Sequence, residues 1–242
     1  MIGIIINTLS IVIGGILGAF LSHRLSGAFT EKLNEVFGIC AMGMGISSVI
    51  LMENMPAIIL AIVAGTSLGL AFHFGKALSA GAMLLQRPIS ALVKKQDSPA
   101  QTLEAYQSLL VTAVVLFCAS GSGIYGSLDA GMTGEITILL SKSILDLFTA
   151  VVFACSLGAV VSVIAVPQMI IYSALFLLAK VIFPLTTPAM IADFKACGGL
   201  LLIATGLRMA KIKNFAVADM IPSMILVMPL SAVWANYVIP IL

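Results

Sequence analysis

This chain is apolar along eight stretches of about bilayer-crossing length, near 3–22, 36–52, 56–74, 106–127, 136–158, 162–182, 196–210 and 217–238, separated by charges, prolines and glycines. A transmembrane helix needs ~20 mostly apolar residues to cross a hydrocarbon core ~30 Å thick. Backbone groups in lipid must also be hydrogen-bonded internally. These demands restrict the chain to an all-α fold, a polytopic transmembrane helical bundle of seven to eight spans. The lower number stays open because either the turn from Gly158 to Pro167 or the short seventh segment can make a re-entrant half-helix. Composition agrees, with 61% hydrophobic and 9% charged residues and a mean hydropathy of +1.18. In 242 residues such spans leave no room for a sizeable soluble domain, so one integral membrane domain, 1–242, is expected. The lipid bilayer is its expected surrounding.

The sequence opens Met1-Ile-Gly-Ile-Ile-Ile-Asn7, without a basic leader or a small-residue cleavage site, so the first apolar run is expected to remain as a helix. Basic residues divide unevenly between alternate loops. Arg24, Lys32, Lys76, Arg87, Lys94, Lys95, Arg208, Lys211 and Lys213 fall on one side, Lys180 and Lys195 on the other. The positive-inside rule makes the first set cytoplasmic, with both termini outside the inner membrane. Trp234 and Tyr237 suit an interfacial aromatic belt. The loop 76–104 spaces Leu78, Ala82, Leu85, Ile89 and Leu92 helically between basic positions. That pattern predicts a cytoplasmic amphipathic helix on the anionic leaflet, the alternative being a plain solvated linker because Pro88 interrupts the pattern.

Cys40, Cys118, Cys155 and Cys197 stand alone in apolar runs and read as small buried hydrophobes. His23 and His73 lie at span ends and read as ordinary interfacial side chains. No metalloprotease, nucleophile-elbow, phosphate-loop or paired-cysteine motif occurs. An enzyme, a cofactor and a nucleic-acid partner are therefore not expected.

Lys142 is the exception inside the membrane. An unpaired charge at the centre of a span costs ~2.5–3.5 kcal/mol on insertion scales, so a lipid-facing helix has no use for it. Helical spacing sets Glu135, Lys142, Asp146 and Thr149 in one stripe. Such a stripe either lines a hydrated path or clasps a neighbouring helix, the second as an ion pair of little net stability. Just upstream, Cys118-Ala-Ser-Gly-Ser-Gly-Ile-Tyr-Gly-Ser-Leu-Asp129 interrupts an apolar run with three glycines and three serines. Unwound backbone there, with Ser120, Ser122 and Asp129, is the expected other half of a substrate or ion site. Close small-residue packing explains the same composition equally well. The helix starting near Gly134 is expected to turn its positive end toward an anion or Asp129. Asn7 and Ser10 on the first span, with Ser47 and Ser48 on the second, are further candidate ligands. Gly14-x-x-x-Gly18 and Gly65-x-x-x-Gly69 predict close helix packing, within one subunit or between subunits of a homodimer.

Two segments share an order of features. Asn54-Met55-Pro56-Ala57-Ile58-Ile59-Leu60 aligns with Asp219-Met220-Ile221-Pro222-Ser223-Met224-Ile225-Leu226 if one residue is inserted, and the turns Thr30-Glu31-Lys32 and Asp193-Phe194-Lys195 correspond. Repeats over 1–75 and 160–242, with 105–158 between them, would sit five spans apart and so in inverted topology, a transporter architecture.

The opening Asn7-Thr8 and Gly14-Gly15, the run from Phe117 to Gly131, Leu140-Ser-Lys142-Ser-Ile-Leu-Asp146, Cys197 to Gly206 and Ala218-Asp219-Met220-Ile221-Pro222 together resemble the domain-of-unknown-function 554 family, the YqgA/YdfK-like bacterial membrane proteins. The resemblance covers the whole chain and implies a polytopic inner-membrane protein. It supplies no activity and no site residues. The expected function is secondary transport or export of a small solute or ion. The alternatives are a channel lined by the same stripe and a non-transporting scaffold assembled through its glycine faces.

Overall fold

The computed structural model describes residues 1–21, 27–92 and 103–241. The expectations placed on His23, Arg24, Lys94 and Lys95 lie outside them. The helices are α1 (Ile2–Leu21), α2 (Gly27–Val49), α3 (Met55–Ala71), α4 (Phe74–Leu92), α5 (Leu103–Cys118), α6 (Gly121–Met132), α7 (Thr137–Leu157), α8 (Val160–Ile182), α9 (Pro188–Met209), the short α10 (Val217–Met220) and α11 (Pro222–Val233). A π turn at Trp234–Val238 and a 3-10 turn at Ile239–Ile241 follow. No strand occurs among the described residues.

Six helical stretches are long and apolar enough to cross a membrane: Ile2–Leu21, Leu109–Met132, Thr137–Leu157, Val160–Leu185, Pro188–Met209 and Val217–Ile241. A seventh arises if α3 and the first part of α4, bent by 61° at a break, count as one span. Helix α2 is not among them, and Glu31, Lys32 and Glu35 lie in its first half. The bend falls at His73, a non-glycine residue with φ of 54°.

Helix α1 shows why these elements suit lipid. Its buried face is small or polar, with Gly3, Asn7, Gly14, Gly15 and Gly18 beside Ile4 and Ile11. Its exposed face carries Ile5, Leu9, Ile13, Ile16, Leu17 and Phe20. Water would drive that second set inward. In a bilayer, bulky apolar side chains face acyl chains and small residues let helices approach.

The chain forms two compact units, Met1–Leu33 with Ala77–Leu178, and Asn34–Lys76 with Ala179–Leu242. In the first, α1 runs alongside α7. A Cβ at Gly14 would strike the Leu147 carbonyl and Ala150, and one at Gly18 would strike Val151 and Ala154. Helix α8 packs antiparallel to α1, with Ser162 against Gly15 and its hydroxyl donating to the Val12 carbonyl at 3.0 Å. Gly158, with φ of 75°, makes the tight α7–α8 turn.

In the second unit, α2 and α9 approach antiparallel through paired glycines. A Cβ on Gly38 would stand 2.6 Å from the Gly206 carbonyl oxygen, and one on Gly206 would stand 2.5 Å from that of Gly38. Gly45 and Gly199 repeat the reciprocal contact at 2.6 Å in each direction. Helix α3 likewise packs antiparallel on α10 and α11, Gly65 against Ser223 of α11 and Gly69 against Asp219 of α10. Both glycine pairs singled out in the sequence are thus filled by the chain's own helices.

Three expectations need correction. The seventh segment is a helix of 22 residues, because Thr187 caps it and Pro188 opens it. Asp193-Phe194-Lys195, expected as a charged turn, lies inside that helix with Asp193 and Phe194 buried. Not all cysteines are buried either. Cys118 and Cys197 are, whereas Cys40 is exposed and Cys155 only partly covered.

Candidate functional site

Lys142 and Asp146 are one turn apart on α7, and the ammonium donates to Asp146 Oδ1 at 2.8 Å. The pair is closed in, with Lys142 3% and Asp146 5% exposed. An ion pair at this depth keeps both charges only where further donors and acceptors complete it. Those come from α1 and α8. Asn7 Nδ2 donates to Asp146 Oδ2 at 2.8 Å. Gln168 Nε2 donates to Asn7 Oδ1 at 2.9 Å. Thr8 Oγ1 lies 2.9 Å from Gln168 Oε1, to which it donates, and 2.8 Å from the Ile4 carbonyl. Asn7 and Gln168 have no exposed surface.

The acceptor-only carboxylate orients this whole chain. Because Asp146 can only accept, Asn7 must present its amide nitrogen and turn its oxygen to Gln168. Gln168 in turn shows nitrogen to Asn7 and oxygen to Thr8. Every hydrogen bond from Thr8 onward points toward Asp146.

A second polar group gathers at the α5–α6 break. The helix stops at Cys118 and restarts at Gly121, with Ser120 as N-cap accepting from the Gly123 amide at 3.2 Å. The interruption leaves the Phe117 carbonyl without a helical donor, and the Tyr172 hydroxyl supplies one at 2.7 Å. Ser120 Oγ lies 3.3 Å from the Tyr172 hydroxyl, and Ser122 Oγ lies 3.3 Å from Ser120 Oγ. Gly123 is where Tyr172 passes over α6, and a Cβ there would occupy the phenol oxygen's place. Tyr172 and Gln168 are a turn apart on the buried face of α8, so the two groups share one helix. Buried Ser127 on α6 has no hydrogen-bond partner among the described residues.

Of the residues expected at the site, Asn7, Lys142 and Asp146 are joined directly, and Ser120 with Ser122 lie at the break. Asp129 is buried and meets Thr133 Oγ1 at 3.1 Å. Glu135 precedes α7, is exposed and meets Thr137 Oγ1 at 3.3 Å. The predicted stripe therefore begins at Lys142, because Gly134, with φ of 79°, turns the chain and α7 starts at Thr137. The unwound segment is likewise confined to Ala119–Ser120, the glycines after it being helical. Ser47 and Ser48 both donate to the Met44 carbonyl in their own helix, at 2.8 and 3.2 Å.

Sequence reasoning missed Gln168, although a glutamine in the middle of an apolar span is a polar residue that needs a partner. It also missed the centre of the second unit. Asp193, wholly buried, accepts from the Glu53 and Asn54 amides at 2.9 and 2.8 Å, from Asn54 Nδ2 at 2.9 Å and from Ser231 Oγ at 2.6 Å. The carboxylate thereby takes up free amides before α3, whose N-cap Asn54 makes no side-chain cap of its own. Asp219 Oδ1 does the same for α4, accepting from the Gly75 amide at 2.7 Å.

Apolar helices with bulky exteriors, closed around buried polar side chains, make this an all-helical chain with about six candidate membrane spans among the described residues. The chain belongs to the protein family of unknown function DUF554, whose family model matches residues 2–232. It is 45% identical to the uncharacterized protein YqgA of Escherichia coli (strain K12) over 98% of this chain and 99% of that relative. It is 26% identical to the uncharacterized membrane protein YdfK of Bacillus subtilis (strain 168), over 93% of each. No solved structure matches it.

Proposed function

We propose that this protein is a secondary transporter or exporter of a small solute, with the Lys142–Asp146 pair as the centre that changes state during the cycle. The observation that carries this reading is the buried chain Lys142–Asp146–Asn7–Gln168–Thr8, contributed by three helices of membrane length. A pair placed only to hold helices together contributes little net stability after desolvation. Ionisable residues inside spans more often belong to solute or proton paths. The helix break at Ala119–Ser120 adds a discontinuous span on the same α8 face.

An inverted pair of repeats fits the packing. Helices α1 and α8, α2 and α9, and α3 and α11 are the expected repeat mates, and each mate packs antiparallel on the other. Gly38 and Gly45 meet Gly206 and Gly199 reciprocally, as a two-fold axis in the membrane plane requires. Counting α2 and the bent α3–α4 pair as spans gives eight. The basic loops then face the cytoplasm and both termini the outside. The glycine faces are taken up within the chain, which speaks against a scaffold assembling through them.

The test is solute flux in proteoliposomes loaded with organic anions, amino acids or nucleosides in turn. We expect saturable counterflow from wild type. Lys142→Met should lower it at least tenfold, as should Lys142→Met combined with Asp146→Leu, which leaves no unpaired charge. Full flux in the folded double variant would end this reading, and large unitary currents would replace it with a channel.

A further inference from the structure

The first unit carries a groove of about 520 Å³ between α1 and α8, lined by Thr8, Val12, Ala165, Met169, Ile170 and Ser173 among others. Its walls are almost wholly apolar, and Val166 and Ile170 beside it are well exposed. In a bilayer such a groove opens to lipid rather than to water. Its volume lies in the range of small-molecule sites.

What distinguishes this groove from an ordinary lipid-facing furrow is Thr8. Thr8, one of the residues lining it, carries the hydroxyl that forms the outer end of the polar chain reaching Asp146. A threonine hydroxyl has one proton, and both polar neighbours of Thr8 Oγ1, the Gln168 Oε1 and Ile4 carbonyl oxygens, are acceptors. The proton is committed to them, so only lone pairs remain for the groove. The polarity set by the carboxylate is thus passed through two amides to the groove wall. A polar group of an occupant can therefore meet Thr8 favourably only as a hydrogen-bond donor.

Depth limits the occupant further. Thr8 is six residues beyond the start of α1, about 9 Å along the helix at 1.5 Å per residue. A phospholipid whose headgroup stays at the interface brings only its acyl chain to that level, and a chain offers no donor. A molecule with a slim apolar body and a small hydroxyl or ammonium head satisfies both groove and threonine.

We propose that the α1–α8 groove is a lateral binding site for such a membrane-partitioned, hydrogen-bond-donating amphiphile, held by Thr8 and read by Asp146 through Gln168 and Asn7. This goes beyond the transporter reading and adds a lateral site to it. Ser173 lines the same groove and offers a second hydroxyl that can either donate or accept.

The experiment uses the full chain in lipid nanodiscs and a diazirine-bearing analogue of 1-decanol, with labelled residues mapped by mass spectrometry. Unlabelled 1-decanol and its isomer methyl nonyl ether compete at equal membrane mole fraction. Labelling is expected on α1 and α8 at the groove. The alcohol should compete about threefold better than the ether, the ratio one intramembrane hydrogen bond confers. Thr8→Ser should keep that ratio and Thr8→Val should reduce it to one. Val166→Trp, on the exposed rim, should remove labelling if Thr8→Val fails to fold. Equal competition by alcohol and ether in wild type overturns the proposal. So does equal labelling by a photoreactive phosphatidylglycerol that decanol fails to displace. Because the readout is binding, loss of the groove with counterflow intact refutes this inference alone, while a labelled groove without flux refutes only transport.

Discussion

Lys142 is held as one member of a five-residue chain, and that decides how its replacement behaves. Lys142→Met leaves a buried carboxylate with Asn7 as its remaining donor among the described residues, a loss of ~3–5 kcal/mol for one partner of a buried pair. Removing both charges with Asp146→Leu should recover most of it, since a well-packed apolar pair replaces a buried salt bridge at little cost. Unfolding of the three variants in detergent micelles, read as a double-mutant cycle, checks this. Asp193 is expected to be as sensitive for a different reason. Its four donors are all neutral groups, and an asparagine would turn an amide nitrogen toward some of them. Asp193→Asn should cost ~2–4 kcal/mol and Ser231→Ala ~1.5–3 kcal/mol, the worth of a charge-assisted hydrogen bond. Near-neutral values in the same unfolding assay would show that the cluster is loosely held.

Among the elements, the α5–α6 break shows how a discontinuity survives in lipid. A two-residue interruption exposes the Phe117 carbonyl, and Tyr172, reaching across from α8, satisfies it. For that the phenol must pass where the side chain of residue 123 would stand, so that residue has none. Gly123→Ala should therefore destabilise the protein more than the same change at an exposed helical glycine. Its cost should fall in a Tyr172→Phe background, where the nearest colliding atom is gone. Tyr172→Phe alone should cost ~1–3 kcal/mol for the orphaned carbonyl. Additive effects would mean that the two residues do not meet. The α9 start follows similar logic. Thr187 accepts from the Met190 amide at 3.3 Å and Pro188 fills the first turn, so the helix runs through Asp193 instead of beginning after it.

Over the whole molecule, the proposed orientation makes a direct prediction. Single cysteines placed at Met1 and at Lys211, in a variant lacking the four native cysteines, should react with a membrane-impermeant maleimide from opposite sides. The first should be reached from outside and the second from the cytoplasm. Labelling of both from one side would reverse the span count or the loop assignment. Much of this architecture was legible in the amino-acid sequence. Apolar runs have to become helices because lipid offers the backbone no other partner. A lysine in such a run has to find an anion, and its i+4 aspartate was one turn away. Local spacing could go no further. It could not show that Asn7 and Gln168, 139 and 161 residues from their partners, would complete the pair. Nor could it show that Glu135 would be left outside α7, or that an aspartate read as part of a turn would cap a helix 139 residues away. Those outcomes depend on which helices lie side by side, and that is set by the close approach of glycine faces, whose partners only the folded chain reveals.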